Sequence, residues 1–162
     1  MTDFTKKQID DYLQNGIKDR WYMVCPSSFL GNQAISLRRF GYKLAIWRDL
    51  TTGKVHCVED HCPHRGAPLS AGLVLGDRLA CPYHGVEVNC HGVATRVPGN
   101  PGCKLEGSKS TKAFHVAEAA GAIFIYNHLR EVDTPPPLAL PEYLTSPEWS
   151  NFTCYLEWGN DY

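Results

Sequence analysis

Apolar and polar positions in this chain repeat mostly with period two, in short runs cut by turns. Residues 21–25, 34–40, 42–48, 55–59, 77–80, 86–89, 93–97, 111–116 and 122–126 each read as a strand. Residues 111–116 and 122–126 read as one hairpin around 118–121. Only the N-terminus has helical spacing, with Ile9, Tyr12 and Leu13 behind a Thr5-x-x-Gln8 capping box and an Asn15-Gly16 stop. The pattern predicts an all-β fold, a small antiparallel sandwich or barrel with a short N-terminal helix. Asp133-Thr134-Pro135-Pro136-Pro137 reads as a stiff linker. Residues 143–149 read as loop, and Phe152, Cys154, Leu156 and Trp158 alternate as a strand beyond it.

Composition narrows the function classes. The chain has 162 residues and a formal net charge of −1, with no basic excess to draw nucleic acid or an anionic membrane. No apolar run could span a bilayer, and the N-terminus lacks an apolar signal core, so a cytoplasmic location is expected. Seven cysteines at irregular spacing argue against a disulfide scaffold. Cys25, Cys57 and Cys154 lie in strand-like runs and read as core residues. Cys90 and Cys103 lie in loops near the boxes, and neither belongs to a Cys-x-His or Cys-x-x-His pair.

The chemistry concentrates between residues 62 and 85. Cys62-Pro63-His64-Arg65-Gly66-Ala67-Pro68 is followed, after residues 69–80, by Cys81-Pro82-Tyr83-His84-Gly85. Two short loops thus offer one thiolate and one imidazole each. A [2Fe–2S] centre with two Cys on one iron and two His on the other needs this set. Gly66 and Gly85 let each loop turn sharply, and Pro63 and Pro82 stiffen it. A zinc-binding module remains an alternative, although zinc pairs usually repeat one residue type.

These two boxes resemble the cluster-binding boxes of the Rieske domain, and more narrowly the N-terminal part of the large (alpha) subunit of Rieske non-haem iron (ring-hydroxylating) oxygenases. The resemblance implies that Cys62 and Cys81 hold one iron and His64 and His84 the other. It implies a domain order of residues 1–19 as helix, 20–128 as Rieske domain, 129–148 as linker, and 149–162 as a strand leading toward a catalytic domain. That domain would hold a mononuclear Fe(II) for O2 chemistry, with none of its ligands in these residues. The cluster would relay electrons to it from a reductase or ferredoxin, ultimately from NAD(P)H, for mono- or dioxygenation of an aromatic or similar substrate. The family's assemblies imply a homotrimer or α3β3 form, with His64 or His84 facing the neighbouring subunit. A free-standing Rieske ferredoxin is the alternative.

The resemblance also bears on potential. Respiratory Rieske proteins carry an extra Cys in each box, where this chain has Ala67 and Tyr83. They also carry Ser and Tyr donors to sulfur, where it has Val86 and Val88. Fewer donors stabilise the reduced cluster less, so a midpoint near the low end of the Rieske range, roughly −150 mV, is expected. Loss of a proton from a ligand imidazole should lower it further as pH rises. Pro98-Gly99-Asn100-Pro101-Gly102 is expected to cover the cluster, with Tyr83 and Pro68 packed against it. His56, His91, His115 and His128 have no partner at metal spacing and read as surface or satisfied core residues.

Overall fold

The computed structural model describes residues 5–150. The chain runs through helix α1 (Lys6–Asn15), then β1 (Arg20–Pro26), β2 (Ile35–Arg39), β3 (Tyr42–Arg48), β4 (Val55–Glu59), β5 (Leu73–Leu75), β6 (Arg78–Ala80), β7 (Glu87–Asn89), β8 (Ala94–Arg96), β9 (Ala113–Phe114), β10 (Val116–Ala119) and β11 (Ala122–Asn127). The strands form three antiparallel sheets in the orders β1-β11-β10, β2-β3-β4-β9 and β5-β6-β7-β8. This is the expected all-β architecture with one N-terminal helix.

Strand β3 explains why two cores form. Its alternate residues face opposite ways. Leu44 and Ile46 enter a core with Val24, Cys25, Phe40, Cys57, Ile123 and Ile125. Ala45 and Trp47 enter a second core with Val58, Leu69, Leu79, Val86 and Val88. All four β3 residues are fully buried, so the strand is a shared wall between the two. The Trp47 indole N–H donates to the Gly76 carbonyl at 3.0 Å, tying β3 to the β5–β6 turn. The second core also contains Cys62 and Cys81, so the floor of the candidate site is this packed layer.

Local signals behave as their chemistry predicts. Thr5 caps α1: its hydroxyl accepts from the Gln8 N–H, and the Gln8 side chain accepts from the Thr5 N–H. No α1 residue is buried, and Ile9 and Leu13 remain exposed. Cys25 and Cys57 are buried strand residues, as expected; burial raises the Cys25 thiol to about 11.

Two readings need correction. Residues 111–116 are not one arm of a hairpin. Ala113 and Phe114 pair with β4, and the chain then changes sheets at His115, so only Val116–Ala119 pairs with β11. Side chains of both segments are apolar enough to look continuous, and the switch is made by backbone pairing. The expected loop at 143–149 begins inside a single helical turn, Glu142–Thr145, whose first residue follows Pro141. The linker is tied back to the β domain at several points: the Leu129 N–H donates to Asp19 Oδ1 at 3.1 Å, the Val132 carbonyl lies 2.6 Å from His115 Nε2, and the Trp21 indole N–H donates to the Pro136 carbonyl at 2.8 Å. The strand read around Phe152–Trp158, with Cys154, lies outside the described residues.

Candidate iron–sulfur site

The two box loops fold alike. In the first, the Cys62 N–H donates to the Ala67 carbonyl and the Gly66 N–H to the Cys62 carbonyl, each at 2.8 Å. In the second, the Cys81 N–H donates to the Val86 carbonyl at 2.8 Å and the Gly85 N–H to the Cys81 carbonyl at 3.0 Å. In both, the glycine stands four residues after the cysteine, with φ of 75° at Gly66 and 68° at Gly85. Only glycine holds that left-handed conformation at little cost. The histidine, by contrast, is two residues after the first cysteine and three after the second.

Those loops bring like side chains together. The Cys81 thiol lies close enough to the Cys62 thiol to disfavour its ionisation, and the His64 and His84 rings stand edge to face with centroids 4.8 Å apart. The thiols lie inward, Cys62 1% and Cys81 4% exposed, while both imidazoles are exposed. Burial pushes the Cys62 thiol pKa up, and the neighbouring Cys81 adds to this. The backbone N–H groups of His64 and Arg65 donate to its sulfur and pull the other way. The result is a buried sulfur pair with main-chain donors, an imidazole pair at the tip, and an apolar floor of Val86, Val88 and Leu69. Among the described residues, no three His, Cys, Asp or Glu side chains surround a single point as ligands of one ion would. The donor set suits two irons with two protein ligands each.

The surroundings refine the expectations. The third loop does reach the site: a Cβ on Gly85 would stand 3.4 Å from the Pro98 side chain. Tyr83 does not pack inward. It stacks on His84, with centroids 3.8 Å apart and planes 29° apart, and is 60% exposed. His61 lies against the first loop, where a Cβ on Gly66 would meet its Nε2 at 3.2 Å.

Several buried charged groups near the loops escaped sequence reasoning. Glu87, directly behind the second box, is bound by Arg78 at 2.6 Å and Arg96 at 3.1 Å. Asp60, two residues before Cys62, is buried and accepts from Ser36 and Ser70. An acidic residue at the end of a strand is the only signal the sequence offers for Asp60. The reading of His56 and His128 as surface or satisfied core residues also needs correction, while His91 is exposed and the His115 ring is hydrogen-bonded with the Val132 carbonyl, as expected. All four line one cleft of about 700 Å³, and His56 Nε2 and His128 Nδ1 are buried without a hydrogen-bond partner.

Two matched loops carrying paired thiols and paired imidazoles at one tip of an antiparallel β fold suit a two-iron site of mixed ligation. The sequence model of the Rieske [2Fe-2S] domain matches residues 20–116. The chain belongs to the Rieske [2Fe-2S] domain family, and the cofactor of that domain is the [2Fe–2S] cluster. The vanillate O-demethylase oxygenase subunit of Pseudomonas sp. is 34% identical over 133 residues, covering 82% of this chain and 36% of the relative. The reduced complex between oxygenase and ferredoxin in carbazole 1,9a-dioxygenase superposes with a TM-score of 0.71 at 29% identity, covering 84% of this chain and 36% of that one. Dicamba monooxygenase superposes at 0.70 with 26% identity, covering 85% and 42%. The chain therefore spans less than half the length of these relatives. No helix among the described residues is long and apolar enough to cross a membrane.

Proposed function

We propose that this chain is the electron-relay domain of a Rieske oxygenase, with Cys62 and Cys81 on one iron of the cluster and His64 and His84 on the other. The observation that carries the assignment is the pairing across loops, thiol with thiol and imidazole with imidazole. The cluster supplies one-electron storage. The protein's part is to keep the sulfur end dry and the imidazole end accessible. Cys62 and Cys81 sit in the core, so water cannot reach the thiolates from below. His64 and His84 emerge at the surface, so an electron can enter or leave through the rings. Tyr83 extends that exposed edge by stacking on His84.

The wider role rests on the relatives. Several are oxygenase components, and one solved relative is a complex with a ferredoxin. They support a donor ferredoxin or reductase for this site, NAD(P)H as the ultimate electron source, and a mononuclear iron outside residues 1–162 as acceptor. They also favour the oxygenase reading over the free-standing carrier. Residues 20–128 form the relay domain in this reading, with 129–148 as the connector and 149–162 entering the next domain. A homotrimer or α3β3 assembly, soluble in the cytoplasm, completes the proposal.

The decisive experiment is anaerobic loading with iron and sulfide, read by iron content and by electron paramagnetic resonance (EPR) after reduction. Two irons per chain and a Rieske-type signal, lost in Cys81→Ala and altered in His64→Cys, are expected. A colourless product holding one zinc would overturn the assignment. The size of the polypeptide in its source cell separates the two electron-transfer roles: a product several hundred residues long supports the oxygenase, and one of 162 residues the carrier.

A further inference from the structure

The two ligand loops are closed at their roots in different ways. The second loop, residues 81–86, sits in a strand ladder: Ala80 in β6 pairs with Glu87 in β7, immediately either side of the loop. The first loop, residues 61–69, has no such ladder. It leaves β4, which pairs with β3 and β9, and no strand pairing joins β4 to the segment that follows the loop.

One carboxylate spans that gap. Asp60 is the last residue before the loop and Ser70 the first after it. The Ser70 N–H donates to Asp60 Oδ1 at 2.8 Å, and the Ser70 hydroxyl to Oδ2 at 2.7 Å. The same carboxylate is anchored to the neighbouring sheet by the Ser36 hydroxyl of β2 at 2.8 Å and Lys43 Nζ of β3 at 3.6 Å. The Asp60 N–H donates to the Lys43 carbonyl at 2.7 Å. The Asp60 side chain is wholly buried. A buried carboxylate is costly unless satisfied, and here it is satisfied by groups from both ends of the loop.

We propose that Asp60 and Ser70 are positioning residues of the cluster site: their side-chain clasp closes the first ligand loop as the β6–β7 ladder closes the second. This rests on the cluster assignment above. With the clasp broken, the first loop is closed only by its own Cys62 N–H to Ala67 carbonyl bond, and Cys62 and His64 are held less firmly relative to Cys81 and His84. The imidazole end should be disturbed first, because Cys62 is also held by the core and His64 is exposed.

The test compares the loaded parent with Asp60→Ala, Asp60→Asn, Ser70→Ala and Ser36→Ala, all as the intact protein. The readouts are the EPR g-values of the reduced cluster, its midpoint potential, the rate of bleaching by a chelator, and the melting temperature. Asp60→Ala should bleach about 5- to 100-fold faster, the factor set by leaving buried donors unpaired, with shifted g-values and midpoint. Ser70→Ala keeps its backbone donor and should shift all three less, in the same direction. Asp60→Asn still offers an oxygen to the Ser70 N–H and should partly rescue. Ser36→Ala removes one anchor of the same carboxylate without touching the loop, and should shift g-values and midpoint in the same direction but less than Ser70→Ala. If Asp60→Ala does not fold, Ser70→Ala carries the test. Variants that melt earlier but keep the parent's g-values, midpoint and bleaching rate would overturn the clasp alone. A parent that takes up no [2Fe–2S] chromophore would overturn the site assignment and the clasp with it.

Discussion

Gly72→Ala should be among the most damaging single-methyl changes in this chain, although its backbone is ordinary. Gly72 has φ −94° and ψ −163°, conformations open to alanine. The obstacle is space. An added Cβ would stand 1.9 Å from the Ala80 carbonyl oxygen, 2.9 Å from its carbon and 3.2 Å from the Leu69 carbonyl oxygen. Side-chain carbons essentially never approach closer than 3.0 Å, so the main chain must retreat by about 1 Å. Ala80 cannot swing aside, being paired with Leu73 on one side and Glu87 on the other. Overpacking against movable side chains costs about 1–3 kcal/mol, and against a fixed backbone we expect the upper end, about 3 kcal/mol. For a chain this long that is a fall in melting temperature of roughly 6–12 °C. The control is Gly99→Ala, where nothing lies within 4 Å and φ is not left-handed. It should be neutral or stabilise by up to about 1 kcal/mol. Urea unfolding followed by tryptophan fluorescence gives both values. Ala80 directly precedes Cys81, so Gly72→Ala should also weaken cluster retention. A Gly72→Ala protein within about 1 kcal/mol of the parent, or a Gly99→Ala protein equally damaged, would refute the steric reasoning.

Two further outcomes are expected. Val86 and Val88 are buried beneath the loops and carry no hydroxyl to donate to sulfur, so the midpoint should fall near −150 mV, roughly the bottom of the Rieske range; a clearly positive value in a potentiometric titration contradicts this. Burial holds the His56 and His128 pKa values below 6.5, against the partial opposing pull of Asp49 and Asp77 on His56 and of Glu131 and Asp19 on His128. The unfolded chain therefore binds protons that the folded chain refuses, and stability present above pH 6.5 is lost as pH falls below it. The urea midpoint should be flat from pH 8 to 7 and decline toward pH 5, less steeply in His128→Gln; a midpoint that rises over that descent sinks the argument.

What was legible in the sequence and what was not follow from how far apart the interacting groups lie along the chain. The boxes could be read because each is local. Cysteine, histidine and glycine fall within five residues, and the two-and-three offset of the histidines is itself the chemical signal. The capping box of α1 could be read for the same reason. The sheet switch at His115 could not, because periodicity tells which way a side chain points and nothing about which strand lies alongside. The cleft formed by His56, His91, His115 and His128 unites side chains from β4, the β7–β8 turn, the β9–β10 junction and the end of β11, so spacing along the chain says nothing of it. Asp60 is the instructive intermediate. Its bonds to Ser70 cross 10 residues and its bond to Ser36 crosses 24, beyond any local motif. Yet the need for it follows from topology: a loop that must hold two ligands still and has no ladder at its base requires some other closure, and a buried carboxylate with donors on both sides supplies one. The loops of such a site can therefore be read from sequence, while the residues proposed to hold them in place become visible only when the strand pairing shows which loop lacks support.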